Sequence, residues 1–275
     1  MIEGTCDVRF ARVRDAFRSN FTEHAEIGAA VAVYVAGRLV VNLWGGHCDP
    51  ARTRAWHQHT LVDVFSVGKG IATLIVLDAV TRGELALDAA IARYWPEFGT
   101  AGKGGITLRH VLAHRAGLPA IREPLPAGAG LDPLRMARAL EQQEPWWQPG
   151  EAHGYHVNTF GLHASACGVA RVYAGLIEGD LLPASLLHDA TREHAQGIDR
   201  VLDRPSRFGL GFQLTQPERP LGPNAGAFGH FGAGGSLGFC DPEAGIGFGY
   251  VMNDMGSRWQ NPRNRALIDS LYASL

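Results

Sequence analysis

Lysine is almost absent from this chain of 275 residues. Lysine and arginine together number 25, yet only Lys69 and Lys103 are lysines. The positive residues are scattered among acidic ones, and the lack of a basic stripe argues against a nucleic-acid partner. Arginine keeps its proton in proteins, whereas a desolvated lysine can lose it and act as a base. Lys69 is therefore a candidate for chemistry.

Long apolar runs are also missing. The beginning, "MIEGTCDVRF", has no apolar signal core, and "IATLIVLDAV" (71–80) is too short to span a bilayer. The four cysteines are isolated, which predicts reduced thiols and argues against a disulfide framework or a zinc site. With 46% hydrophobic and 19% charged residues, the composition is that of a soluble globular protein. We expect a cytoplasmic location and no membrane partner.

The hydrophobic pattern predicts an α+β fold. An amphipathic helix from Val8 to Phe21 precedes "GAAVAVYVAG" and "RLVVNLWGG", two strands joined by a tight turn at Gly37 and Arg38. A helical middle follows, then the β runs "RFGLGFQLT", "SLGFCDP" and "GIGFGYVMN" and a closing helix. This order predicts a five-stranded antiparallel sheet flanked by terminal helices, with a helical lobe inserted between strands.

The predicted lobes form one functional domain. Residues 1–65 and 200–275 are expected to form the sheet lobe, and residues 66–199 the helical lobe. Because ligands bind preferentially in clefts between such lobes, we expect the functional site there.

The stretch "FSVGKGIATL" (65–74) carries the first candidate for chemistry. It reads as the start of a helix from about Val67 to Thr81, so Ser66 and Lys69 lie three positions apart on one face. A serine hydroxyl is a poor nucleophile until a neighbouring base takes its proton, and Lys69 is placed to do so. The alternative is a solvated lysine near a helix start.

Two further stretches hold candidate residues. "GYHV" places Tyr155 after the turn-rich, aromatic stretch "EPWWQPGEAHG", in which Trp146 is a candidate for a cleft wall or the core. "GHFGAGGSLGF" places His230 before a run of glycines, which lets a backbone approach a ligand closely. Taken singly, a packed aromatic and a bulged strand explain these two stretches equally well.

Together, in this order, the stretches resemble the serine β-lactamase-like family, which includes class C β-lactamases, D-Ala-D-Ala carboxypeptidases and family VIII carboxylesterases. Within this family they resemble above all the family VIII carboxylesterases. "FSVGK" is similar to the family's Ser-x-x-Lys element, and "LRHVLAHRAGLP" to its Leu-x-x-His-x-x-Gly-Leu loop. "PGEAHGYHVNTFG" resembles its tyrosine element, and "GHFGAGGSLGFCDPEAGIGFGYVMND" its third motif with the following strand. The resemblance covers most of the chain.

The resemblance implies a role for each matching residue. Ser66 would be the acylated nucleophile, with Lys69 and Tyr155 as the proton-handling pair. The backbone N–H groups of Ser66 and Ala233 would stabilise the oxyanion. Residues that would contact the substrate are His230, Gly232 and Trp146.

The sequence departs from the family in three places. The family's Tyr-x-Asn is Tyr155, His156, Val157 here, which removes the amide that contacts a β-lactam side chain. His230 replaces the lysine that begins the family's Lys-Thr-Gly, which weakens the positive charge expected to hold a substrate carboxylate. After "NTFG" the next helical segment follows almost at once, so the helical lobe is expected to be shortened.

These features predict a serine carboxylesterase acting on short-chain acyl esters through an acyl-enzyme. The alternatives are a β-lactamase or D-Ala-D-Ala carboxypeptidase, and a non-catalytic scaffold that keeps the fold. No cofactor and no metal are expected. His57 and His59 lie in a charged turn where solvent exposure is expected, and His110 and His114 lack the companion glutamate of a zinc helix. The expected partner is a small-molecule ester, and the oligomeric state, homodimer included, is left open.

Overall fold

A computed structural model describes residues 2–155, 162–257 and 259–275. The chain divides into two compact units. The first comprises Met1–Leu74, Asn158–Leu187 and Phe212–Leu275, and the second comprises Ile75–Val157 and His188–Gly211.

The two units have different bounds from the lobes expected from the sequence. Residues 162–187, expected in the helical lobe, belong to the first unit, and residues 200–211, expected in the sheet lobe, belong to the second. The division into two functional lobes stays a prediction. The expected shortening of the helical lobe also stays a prediction, because it follows Tyr155 at residues outside the described ranges.

Among the described residues, nine strands belong to the antiparallel sheet, so the prediction of five was wrong. Seven lie in the first unit, in the sheet order β1-β3-β2-β11-β10-β9-β8. Their bounds are β1 Ile2–Cys6, β2 Gly28–Val35, β3 Arg38–Gly46, β8 Gln213–Leu214, β9 Phe228–Phe231, β10 Leu237–Asp241 and β11 Ile246–Met252. Two more strands, β6 (Ala195–Ile198) and β7 (Pro205–Phe208), pair as an antiparallel hairpin in the second unit.

The extra strands are the ones with a weak sequence signal. β1 is short and mostly exposed, and β6 is a polar strand of four residues, so neither shows the alternation of a half-buried strand. The run "RFGLGFQLT" is divided between β7 and β8 by the glycines at 209 and 211. The hairpin of β2 and β3 is confirmed, but its two turn residues with positive φ are Ala36 and Gly37, one position earlier than expected.

The helices of the first unit cover its sheet. α1 (Ala11–Glu23) and α7 (Pro262–Tyr272) contact each other, and Val13, Phe17 and Leu267 share one buried cluster with Phe248 and Tyr250 of β11. α5 (Ala166–Glu178) contacts β2, β10 and β11. Since side chains alternate between the faces of a strand, the intervening glycines of β11 point toward α5.

Glycines allow α5 to lie close to the sheet. A Cβ atom on Gly249 would come 2.3 Å from the Ala166 carbonyl oxygen and 2.7 Å from the Ala170 nitrogen. A Cβ on the paired Gly238 would come 2.4 Å from the Tyr173 ring. Both contacts are far shorter than carbon atoms tolerate, so a side chain at either position would push the helix from the sheet.

We expect Gly249→Ala to lower the free energy of unfolding by about 2–3 kcal/mol, because the added methyl group meets helix backbone that cannot rotate away. Urea unfolding followed by circular dichroism measures the effect. Gly226→Ala is the matched control, since a Cβ there meets nothing within 4 Å. Equal stability of the two variants would contradict this account of the packing.

The second unit holds shorter helices. α3 (Leu108–Leu112) and α4 (Pro133–Gln142) lie in it, while α2 (Val67–Thr81) and α6 (Ala184–Thr191) each include residues of both units. Thr107 is the N-cap of α3, because its side chain accepts a hydrogen bond from the backbone N–H of His110. α3 ends at Leu112, and the backbone takes a positive φ two residues later, at His114.

Within the predicted helical middle, the stretch "LALDAAIARYWPEF" contains no α-helix, only two 3₁₀ turns, Ile91–Arg93 and Pro96–Gly99. Pro96 limits the helix there, because it disfavours the helical conformation of Trp95. No helix in the described ranges is long and apolar enough to cross a membrane.

Candidate active site

A strand, a turn and a helix set the position of Ser66. The short strand β4 (Val62–Asp63) leads to Phe65, and α2 begins one residue after Ser66. Phe65 has a φ of +49°, an uncommon conformation for a residue with a Cβ, and its N–H donates to the Asp63 carboxylate at 2.7 Å. The prediction that this serine lies at the N-terminus of α2 is confirmed.

The structure brings Ser66 and Lys69 together. Their spacing of three residues places both side chains on one face of the first turn, and Lys69 Nζ lies 3.0 Å from Ser66 Oγ. Ser66 is only 5% exposed. The hydroxyl and the amine are therefore within direct proton-transfer distance.

Burial changes the acid–base chemistry of this pair. It lowers the pKa of Lys69 from its usual 10.5 to about 8, because an ammonium group loses hydration inside the protein. The neutral amine, which can accept the proton of Ser66, therefore becomes the major form above about pH 8 instead of above 10.5. An arginine at this position could not do so.

His230 lies on the face of the sheet that also contacts the start of α2. It pairs with Gly238 in the β9–β10 ladder, and a Cβ on Gly238 would lie 3.0 Å from Val67. His230 Nδ1 lies 2.7 Å from the Phe231 carbonyl oxygen. A carbonyl only accepts hydrogen bonds, so Nδ1 carries the proton and Nε2 presents its lone pair.

His230 is fully buried. Burial holds the pKa of His230 well below its usual value, and the positive charge of Lys69 lowers it further. The ring is therefore uncharged near neutral pH. The place at which the family resemblance implies a lysine is neutral in this chain, as the sequence led us to expect.

Gly232 and Ser236 connect the third motif to the segment before Ser66. Ser236 Oγ donates to the Val64 carbonyl oxygen at 3.0 Å, and the Gly232 N–H donates to the Ser236 carbonyl oxygen at 2.7 Å. A Cβ on Gly232 would lie 2.0 Å from Ser236 Oγ and 2.6 Å from the Val64 oxygen. Only glycine allows these two segments to approach so closely.

Ala233 begins a short 3₁₀ turn, Ala233–Gly235. Two side chains near the start of α7 hold this turn: Asn261 Nδ2 donates to the Gly234 carbonyl oxygen at 3.1 Å, and Asn264 Nδ2 donates to that of Gly235 at 2.9 Å. The N–H of Ala233 therefore lies in a segment of fixed conformation. Its role as an oxyanion donor stays a prediction.

Tyr155 belongs to the second unit and is 7% exposed. Its ring stacks on that of Phe208, with centroids 5.6 Å apart and planes 3° from parallel. Its backbone N–H lies 3.1 and 3.0 Å from the two carboxylate oxygens of Asp199. The partnership of Tyr155 with Lys69 stays a prediction, and His156, Val157 and Asn158 lie outside the described residues.

The other candidates have defined surroundings. Trp146 is 46% exposed, so it does not belong to the core. Its indole N–H donates to the Ala120 carbonyl oxygen at 2.8 Å. That Trp146 forms a wall of the site stays a prediction. His110 takes part in the N-cap of α3 through its ring. Within the described ranges no group of three or more His, Cys, Asp or Glu side chains could hold a metal ion.

Four residues that the sequence did not indicate support the site through long-range contacts: Asp199, Ser236, Asn261 and Asn264. One signal could have found Asn261: an asparagine before a proline is typical of a helix N-cap, and Asn261 caps α7. The contacts that connect the other three to the site span 29 positions or more: Asp199 with Tyr155, Ser236 with Val64, and Asn264 with Gly235.

The comparisons with known proteins agree with the geometry. The chain is 37% identical over 175 residues to "Esterase/beta-lactamase LipL" of Mycobacterium tuberculosis, an alignment that covers 62% of this chain and 39% of LipL. The chain spans about two fifths or less of the curated relatives that it matches.

Two solved structures are similar over 100% of both chains. The structure of a family VIII carboxylesterase has a TM-score of 0.93 at 28% identity. A penicillin-binding protein homologue from Caulobacter crescentus has a TM-score of 0.93 at 29% identity. The Beta-lactamase family model matches residues 13–170 and 160–273, nearly the whole chain. By its sequence motifs, its fold and this match, the chain belongs to the Beta-lactamase family.

Proposed function

We propose that this protein is a serine hydrolase that cleaves short-chain carboxylic esters through an acyl-enzyme on Ser66. The observation that carries the proposal is the contact of 3.0 Å between Lys69 Nζ and Ser66 Oγ, with the pKa of Lys69 lowered to about 8. A buried amine of this kind is a base for the hydroxyl that it touches.

In the proposed reaction the neutral amine of Lys69 accepts the proton of Ser66 as Oγ attacks the ester carbonyl carbon. The N–H groups of Ser66 and Ala233 stabilise the oxyanion of the tetrahedral intermediate. A single such donor contributes roughly 3 kcal/mol to the transition state. The alcohol leaves with a proton returned from the enzyme, and a water molecule then hydrolyses the acyl group. Tyr155 enters as the second proton-handling group from its sequence motif.

Neutral esters are the proposed substrates because His230 is uncharged. A lysine at that position would hold a carboxylate, such as that of a β-lactam, by its permanent charge. A buried neutral imidazole offers no such charge. The names of the relatives support the same class, since LipL is called an esterase as well as a β-lactamase and one similar structure is a carboxylesterase.

β-Lactam hydrolysis or D-Ala-D-Ala peptide cleavage is the second candidate. It is favoured by the equally high structural similarity to a penicillin-binding protein homologue, with a TM-score of 0.93. The chemistry of acylation is shared between the two candidates, so the substrate, not the nucleophile, separates them.

The test combines labelling with turnover. Intact-mass measurement after incubation with a fluorophosphonate is expected to show one adduct, which peptide mapping places on Ser66. Turnover of p-nitrophenyl acetate and butyrate is expected to exceed that of nitrocefin, and the reverse order would favour the second candidate. A protein that neither labels nor turns over any of these substrates would be the non-catalytic scaffold.

A further inference from the structure

Asp199 is a buried carboxylate that the reaction proposed above does not use. Its residue is 0% exposed, and it lies in the turn of the β6–β7 hairpin. The described ion pairs give it one basic neighbour, His153, whose Nε2 lies 3.9 Å from Oδ2. A buried charge needs compensation, and here it comes mainly from hydrogen-bond donors.

Four groups donate to this carboxylate. The N–H of Tyr155 lies 3.1 and 3.0 Å from its two oxygens, and the N–H groups of Val201 and Leu202 lie 2.8 and 2.9 Å from Oδ1. Ser206 Oγ donates to Oδ2 at 3.1 Å. Three of the donors belong to the hairpin itself, and the fourth is the backbone of Tyr155.

Ser206 extends the network to His153. The single hydrogen of the Ser206 hydroxyl is donated to Asp199, so its oxygen accepts from His153 Nε2 at 2.8 Å. The hairpin also binds the main chain of His153, since the Arg200 N–H donates to its carbonyl oxygen at 3.1 Å. The backbone on both sides of Gly154 is thus fastened to the hairpin.

The same hairpin fixes the ring of Tyr155. Ser206 and Phe208 are two residues apart on β7, so both side chains point to the same face of the strand. Ser206 serves the carboxylate, while Phe208, fully buried, stacks on the phenol ring. His114 packs beside the ring with centroids 5.0 Å apart. The hairpin thus contacts both the main chain of Tyr155, through Asp199, and its ring, through Phe208.

We propose that Asp199 is a positioning residue for Tyr155. From the turn of the β6–β7 hairpin, Asp199 accepts a hydrogen bond from the backbone N–H of Tyr155, and this bond fixes where the phenol lies during proton transfer. The inference rests on the proposed function, in which Tyr155 handles protons. Small displacements of a proton-transfer group reduce the rate strongly, whereas substrate binding through other contacts is kept.

The test is a double-mutant cycle of Asp199→Asn with Tyr155→Phe. In Asp199→Asn the NH2 of the amide replaces one of the two accepting oxygens. We expect kcat for p-nitrophenyl butyrate to fall about 10- to 100-fold, and KM to change less than about threefold. In the Tyr155→Phe background the same substitution is expected to change kcat less than about twofold, because the group that Asp199 positions is already gone.

Asp203→Asn is the matched control. It makes the same chemical change four residues along, at an exposed position of the same turn, and is expected to keep the wild-type kcat and KM. If Asp199→Asn does not fold by circular dichroism, Ser206→Ala replaces it in the cycle, with an expected fall of about threefold that also disappears in the Tyr155→Phe background.

Two outcomes would overturn the inference while leaving the proposed function intact. One is a wild-type kcat in Asp199→Asn although Ser66→Ala and Tyr155→Phe are impaired. The other is an equal loss in the presence and absence of the phenol, which is the behaviour of a structural residue. Retention of turnover in Ser66→Ala would instead reject the proposed function itself.

Discussion

Ser66→Ala is expected to lower kcat for p-nitrophenyl butyrate by at least about 10⁴-fold, because the variant has no oxygen on which the acyl group can be carried. What remains is the slow attack of water on a substrate held by the oxyanion donors. The measurement is the initial rate of p-nitrophenol release at saturating ester, with protein passed through size exclusion beforehand to remove contaminating esterase.

The Ser66→Ala variant is expected to lose activity and to keep its fold. Ser66 is buried, and its hydroxyl contributes one hydrogen bond with Lys69, so its removal changes the free energy of unfolding by about 1 kcal/mol. Ser185→Ala, at an exposed position of α6, is the matched control and should keep the wild-type rate. Turnover in Ser66→Ala equal to that of the control would show that another group is the nucleophile.

The parts of the structure that the sequence predicts are those set by local spacing. Ser66 and Lys69 meet because residues three apart share one face of a helix, and α2 has the predicted bounds Val67–Thr81. The β2–β3 hairpin is likewise decided by neighbouring residues. Such elements need no knowledge of the rest of the fold.

The parts that the sequence does not predict depend on distant residues. Asp199 and Tyr155 are 44 positions apart, and nothing in either local sequence indicates that one binds the other. β1 is a strand because β3 offers it an edge, with Ile2 opposite Gly45. Its five residues, mostly exposed, show no strand pattern of their own.

The two lysines of the chain illustrate the same difference. Lys103 is fully buried, and its Nζ donates to the carbonyl oxygens of Thr100, Glu141 and Gln143 at 2.9, 2.8 and 2.8 Å. It is the same rare residue type as Lys69, but its surroundings are those of a residue that joins two backbone segments. Rarity alone therefore does not separate a base from a structural cation.

Lys69→Met is expected to lower kcat/KM by about 10²- to 10⁴-fold, the contribution of a positioned general base. In the wild type, kcat/KM should rise with pH up to about 8 and level off above it, because the amine is neutral above its pKa. The variant should lack this rise. A pH–rate profile of both proteins on p-nitrophenyl butyrate measures the two effects together, and an unchanged profile in Lys69→Met would exclude Lys69 as the base.

The same substitution is expected to stabilise the protein. Folding lowers the pKa of Lys69 from 10.5 to about 8, so between these values the unfolded chain holds the extra proton and stability rises with pH. Below pH 8 the charged lysine therefore reduces the free energy of unfolding, and a methionine of similar size removes that cost. We expect Lys69→Met to gain about 1–3 kcal/mol at pH 7, a gain that disappears near pH 10.5.

Lys103→Met is the matched control for this gain. It removes three hydrogen bonds to buried carbonyl groups, and should lower the free energy of unfolding by about 2–4 kcal/mol while the folded fraction keeps its turnover. Urea unfolding of both variants at pH 7 and pH 10 makes the comparison. A protein that becomes more stable as it loses its base would show that Lys69 is kept at this buried position for chemistry, against its effect on folding.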